Sequence, residues 1–334
     1  MIANAAPTPK AVALVLLPAL VLTLAFAFSY VGAFHDPTPH NVPVAVVGPP
    51  TVAAQLDRLP GDPLDARQAS SRADALSQID GRDVYGAYLA ATNHLFVASA
   101  ANRATALALE ATFNRAAAAR GGPAVHVTDV KPLSPKDPNG TAVFYAMIAW
   151  VFGGYIASTL IGLIGSPRSP SRKRAAARIG ALAAFSLVAG ILSVVILRAS
   201  FGVFSGHVVA LCAVAALTMF ASGAASAGIQ AALGPAGTGL VIITFVILGN
   251  PASGGPFARP LLPGFWRTIG GVLPPGASVD LSRSALFFGG ARITGPILVL
   301  AGWAAVGTAL ALALGGRIMD PVDTEARAAA GAAV

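Results

Sequence analysis

FGVFSGHVVALCAVAALTMFASGAASAGIQAALGPAGTGLVIITFVILGNPASGGPFA, residues 201–258, contains no aspartate, glutamate, lysine or arginine. Its one histidine, His207, is ordinarily neutral at pH 7. Two membrane-spanning helices of about 20 residues each fit within it. The whole chain has the same bias: 55% of its 334 residues are hydrophobic and 11% are charged. A soluble domain carries about 25% charged residues, so polar surface is too scarce to cover a globule of this size in water. The class read from these numbers is an integral membrane protein.

Working outward, Val208–Ile229 reads as one span and Ala231–Gly249 as a weaker one. The weaker one contains LGPAGTG, and a proline removes a backbone hydrogen bond and bends or breaks a helix. Residues 250–292 are rich in proline and glycine and include PGFWRT and GGVLPPG. Ile293–Gly316 is the last span, followed by a short Ala-rich tail, residues 317–334, expected to be disordered. Toward the amino terminus, Ile179–Leu197 and Thr141–Gly165 are further spans. Ala11–Ala33 is uncharged and too long for a signal peptide, so it is expected to stay as the first span. The fold class is thus a polytopic α-helical membrane protein of about six helices.

Between the first two spans lies a region of soluble composition, residues 35–140. VPVAVVG (Val42–Gly48) reads as a strand, TVAAQLDRL as a helix, and SRADALSQI as a helix with a capping box formed by Ser71 and Asp74. DVYGAYLAAT and HLFVASA read as strands joined tightly at Thr92–Asn93. Residues 102–120 form an Ala-rich helix and AVHVTDVKPL a last strand. The order β-α-(β)-α-β-β-α-β is that of a compact α/β domain. Its place between two spans puts it wholly on one side of the membrane. The organisation is therefore 1–34 (tail and first helix), 35–140 (extracytoplasmic α/β domain), 141–316 (five-helix membrane domain) and 317–334 (cytoplasmic tail).

Residues 35–140 hold nine basic and ten acidic side chains, and the rest of the chain holds thirteen basic and four acidic. The excess gathers at the ends of apolar runs, where it sets orientation. GSPRSPSRKRAAAR, residues 165–178, carries Arg168, Arg172, Lys173, Arg174 and Arg178 directly after the second span. With no aromatic neighbours between two apolar spans, this run does not read as a nucleic-acid site. It reads as a cytoplasmic anchor, which places both termini in the cytoplasm of a multi-pass protein of the cell membrane. One feature resists this count: Arg259, Arg267, Arg283 and Arg292 then fall outside, against Asp280 alone. If Ala231–Gly249 were only re-entrant, those arginines would be cytoplasmic.

Catalytic chemistry is not expected. There is no phosphate loop for ATP and no HExxH or Cys/His cluster for a metal, so no cofactor is expected in the chain. Ser205, Ser222 and His207 lack a nucleophile motif. SGAASAG (Ser222–Gly228) reads as a small-residue surface for close helix packing. No predicted span contains aspartate or glutamate, which counts against an ion-coupled carrier. Trp150 and Tyr155 are candidates for a path lining or for core packing. Phe265, Trp266, Pro274 and Pro275 are candidates for an outer gate or for an interfacial loop.

The layout, with VPVAVVG after the first helix, ADALSQIDGRDVYGAYL in the insert, FYAMIAWVFGGYIAS entering the second helix and LPPG before the last, resembles ABC-2-type permeases, nearest the YhgE/Pip-like (phage infection protein) branch. Residues 1–10 are too short for the amphipathic helix that often precedes the first span in that family, and the insert is smaller than in the large phage-receptor members. The resemblance implies the permease subunit of an exporter for a hydrophobic or amphipathic substrate. It also implies a homodimer or heterodimer with a second permease and a separate cytoplasmic ATPase docked on the basic run. The competing function is a membrane-anchored docking or assembly protein for cell wall, secretion machinery or phage.

Overall fold

The computed structural model describes residues 9–166, 168–204 and 206–316. The first eight residues, Ser205 and the expected tail 317–334 lie outside the described residues. Among the described residues, five helices are long and apolar enough to cross a membrane: α1 (Pro9–Phe34), α5 (Ala142–Gly165), α6 (Arg172–Phe201), α7 (Val208–Leu233) and α12 (Thr294–Leu314). The chain is a multi-pass membrane protein.

The expected sixth span differs. The helix α7 runs on to Leu233 and stops at Gly234, whose φ of 62° is left-handed. After Pro235 the chain turns back as α8 (Ala236–Val241), continues through π-helical turns (Ile242–Gly249) and ends as α9 (Asn250–Ala252). These pieces form one apolar helix, Ala236–Ala252, shorter than the five. Pro251 has no N–H, so the π-helical turns leave carbonyls without intrahelical donors. The α1 helix supplies them: Ser29 Oγ donates to the Ile247 carbonyl at 2.6 Å and Tyr30 OH to that of Val246 at 3.4 Å.

At the centre is α7, flanked by α5, α6 and α12. Its SGAASAG stretch is wholly buried, and backbones approach closely along it. A Cβ on Gly228 would lie 2.6 Å from the Gly307 carbonyl of α12. On the opposite side, a Cβ on Gly154 of α5 would collide with the Met219 carbonyl. Small residues are what let helices pack this tightly where lipid offers no hydrophobic drive. The short helix α10 (Gly264–Ile269) lies against α1, while α11 (Pro274–Phe287) is buried among α5, α7 and α12. The sequence read both as loop, because prolines mask their starts. In α11 the prolines occupy the first turn, where a missing N–H costs nothing.

Residues 42–129 form a five-stranded sheet, β1 (Val42–Val47), β2 (Leu64–Gln68), β3 (Gly86–Leu89), β4 (His94–Val97) and β5 (His126–Asp129), in the order β2-β1-β3-β4-β5. Only the β3–β4 pair is antiparallel. Alternation along β1 sends Val42, Val44 and Val46 toward α2 (Pro50–Asp57) and α4 (Arg103–Ala118), and Ala45 toward α3 (Arg72–Asp80). Ser71 caps α3 as its spacing predicts, accepting from the Asp74 N–H at 3.1 Å. Asp74 returns the contact to Ser70 rather than to Ser71. Asn93, at φ 48°, closes the β3–β4 turn. Leu261 and Phe288 from the 250–292 segment complete the cores on the two faces of the sheet.

Candidate functional site

The basic run is divided by the structure into three environments. Ser171 Oγ accepts from the Arg174 N–H at 3.2 Å and starts α6. Arg172, Lys173 and Arg174 therefore form the first turn of a helix and all three are exposed. Cations at a helix amino terminus oppose its dipole by about 0.3–1 kcal/mol each, and no acidic residue offsets them in that turn. These charges are not there to stabilise α6. Arg168 instead caps α7, with Nε donating to the Ala231 carbonyl at 2.7 Å and Nη2 to that of Ala232 at 3.0 Å. There a cation suits the negative end of the dipole. The same end of the bundle holds the close of α12, where Gly316 N–H donates to the Ser169 carbonyl at 3.1 Å.

Arg178, read as one of the loop charges, lies inside α6 and is buried. Its Nη2 donates to the Ser158 carbonyl at 2.6 Å, to Ser158 Oγ at 3.1 Å and to Gln230 Oε1 at 2.9 Å. Gln230 Nε2 donates onward to Thr159 Oγ1 at 2.8 Å and Thr238 Oγ1 at 3.3 Å. The network joins α5, α6, α7 and α8. Sequence reasoning missed it because both Arg178 and Gln230 fall one residue outside the apolar stretches. The helices continue past those limits. The available signal was Ser158 and Gly162 at i, i+4 on α5, with Gly162 leaving the space that the guanidinium fills.

The six aromatic and proline candidates are not brought together. Trp150 is fully buried, and its Nε1 donates to Ser193 Oγ at 2.9 Å, tying α5 to α6. Tyr155 is buried with its ring edge-on to Phe152. Trp266 Nε1 donates to Ser29 Oγ at 3.1 Å, and the ring lies over Gly32 of α1. Pro274 and Pro275 are buried at the start of α11, Pro275 against Gly249. Phe265 alone is exposed. In this structure Trp150, Tyr155, Trp266, Pro274 and Pro275 pack helices against one another.

At the sheet-bearing end three of the four resisting arginines, Arg259, Arg283 and Arg292, acquire acceptors. Asp280 on α11 is held by Arg82 at 3.2 Å and Arg259 at 2.8 Å. Arg82 comes from the turn after α3 and also donates to the Asp280 carbonyl and to Ser284 Oγ. Arg283 donates to the carbonyls of Gly254 and Gly255 at 2.8 and 2.7 Å. Arg292 pairs with Asp83 at 2.6 Å. Burial raises the Asp280 carboxyl, but Arg259 and Arg82 outweigh it and hold the group below the usual carboxylate range. Burial, reinforced by Arg82, pushes Arg283 down to about 10, so it stays charged at neutral pH. These contacts join the sheet to the helix bundle.

Comparison of the chain with protein-family models, with curated proteins and with solved structures returned no match.

Proposed function

We propose that the chain is the permease subunit of an ABC-2-type exporter, of the YhgE/Pip-like kind, moving a hydrophobic or amphipathic substrate out of the cell. A separate cytoplasmic ATPase powers it, and a second permease subunit, identical or related, completes the membrane part. Residues 35–140 then lie outside, and both termini inside. The observation that carries the reading is the first turn of α6, where three exposed cations stand against the helix dipole beside the ends of α7 and α12. Such a turn offers acidic residues of an ATPase a grip on three helices at once. The break at Gly234–Pro235 and the π-helical turns add an interrupted membrane segment, as the discontinuous helices of transporters are.

The test is an affinity pull-down from gently solubilised membranes, with the Arg172→Gln/Lys173→Gln/Arg174→Gln variant in parallel. A nucleotide-binding subunit should accompany the native chain, be lost with the variant, and show lower substrate-stimulated ATP hydrolysis. Equal recovery and equal hydrolysis would sink the coupling role. The docking reading is favoured by one feature, β5, whose four residues are all exposed at the sheet edge. Recovery of a wall or secretion component without any ATPase would select it.

A further inference from the structure

A hollow of about 580 Å³ opens beside the sheet. Its walls come from three places: Pro39 and His40 after α1, Pro60 and Pro63 in the α2–β2 turn, and Arg115 and Ala116 on α4. The size lies within the range of small-molecule sites, about 300–1,000 Å³. The walls are set without a ligand, since prolines fix their own φ. His40 N–H donates to the Pro260 carbonyl at 2.9 Å, and Asn41 N–H to that of Asp62 at 2.7 Å, which fastens linker and turn.

The chemistry of the lining is one-sided. Most of it is apolar, and no carboxylate belongs to it among the described residues. Arg115 makes no ion pair among the described residues. Among the described residues its guanidinium donates only to the Ala111 carbonyl and Thr112 Oγ1 of its own helix, at 3.3 and 3.4 Å, which leaves donors over for an anion. Position completes the argument. His40 follows the last residue of α1, Phe34, by six positions, a reach of at most about 21 Å. Thr38, also in the lining, follows Phe34 by only four positions, so the hollow begins within about 14 Å of the end of α1.

We propose that this hollow binds a single-chain amphiphile with an acidic headgroup, its hydrocarbon against the prolines and Ala116 and its headgroup on Arg115. The ligand is lipid-derived, carboxylate- or phosphate-headed, and arrives from the adjacent leaflet. Nothing in this needs an ATPase, so it stands or falls apart from the exporter reading.

The test uses the full chain in lipid nanodiscs and three photoreactive probes of equal length: a diazirine-bearing fatty acid, the matching lysophosphatidate and the matching alcohol. After irradiation, labelled peptides are mapped by mass spectrometry. Labelling is expected within 38–40, 59–63 and 112–119. The alcohol, or Arg115→Gln with an acidic probe, should label about tenfold less, as loss of a charge-assisted hydrogen bond predicts. Arg115→Lys should retain most labelling. Ala116→Trp and, at the exposed helix end, Ala119→Trp should abolish it by filling the space. The better of the two acidic probes identifies the headgroup. Labels confined to the spanning helices, equal labelling by acid and alcohol, or an indifferent Arg115→Gln each overturn the proposal.

Discussion

Pro251 cannot bond back along its own helix, and the hydroxyl of Ser29 stands in for the missing donor at the Ile247 carbonyl. The same oxygen accepts from Trp266, so one small side chain on α1 serves two other segments. Ser29→Ala should therefore cost about 1–3 kcal/mol, the price of a buried group left unsatisfied. It should lower the thermal midpoint in detergent, and Ser29→Thr should recover much of it. Asp280 makes a second prediction at this scale. Its folded pKa lies below the ordinary value of about 3.9, so its contribution is complete above that value and is lost as pH falls through the depressed one. Protection from hydrogen exchange at α3 and β3, taken relative to the intrinsic rate at each pH, should be flat from neutral pH to about 5 and fall only in stronger acid. Asp280→Asn should lower that protection above the depressed value, by an amount set by leaving Arg82 and Arg259 without their carboxylate, and the two chains should converge below it. Neither residue's part was readable in advance: Ser29 sits 218 positions from its acceptor and Arg82 198 positions from Asp280.

Helices here end where capping and packing end them, not where apolarity does. The span read as Ile179–Leu197 is the middle of a 30-residue α6 that begins at the Ser171 cap. That is why three of the basic residues were legible as an exposed cluster while Arg178, between one and two turns further in, was not. Local charge density shows in sequence, whereas a buried guanidinium needs the geometry of three other helices. The Ala236–Ala252 helix is about 25 Å long by its rise, short of a hydrocarbon core of about 30 Å. The LGPAGTG signal located its start, but nothing local announced the π-helical turns. Pro251→Ala would restore an N–H and make the segment less dependent on α1. In a double-mutant cycle, Ser29→Ala should then cost clearly less on the Pro251→Ala background than on the native one. Equal costs would mean that Ser29 acts elsewhere. Gly307→Leu should separate α12 from α7, where a Cβ already meets the Ala224 backbone. Its expected signature is loss of the monodisperse species rather than a modest shift in melting.

Across the whole molecule, the sheet region and the succession of its strands and helices along the chain were legible because alternating apolar residues and turn signals are short-range, whereas the spatial order β2-β1-β3-β4-β5 was not read. Its dependence on Leu261 and Phe288 was not, since both come from a segment that reads as loop. Orientation can be checked directly. On a Cys212→Ser background, single cysteines at Lys173 and at Arg120 should react with an impermeant maleimide from opposite sides of the membrane. A cysteine at Gly315 should behave like the one at Lys173, because α12 ends beside Ser169. Reaction of the Lys173 and Gly315 sites from different sides would refute the six-crossing arrangement. The long separations between partners also have a meaning in time. A ribosome adding about 5–20 residues per second needs roughly 10–40 s to travel from Ser29 to Ile247. For that interval α1 is in the bilayer with its hydroxyl unmatched, and the nascent sheet waits with Arg82 unpaired and two core positions empty. The newly made chain is thus most exposed to proteases and membrane quality control before its last third emerges, and a stall near residue 240 would strand it there.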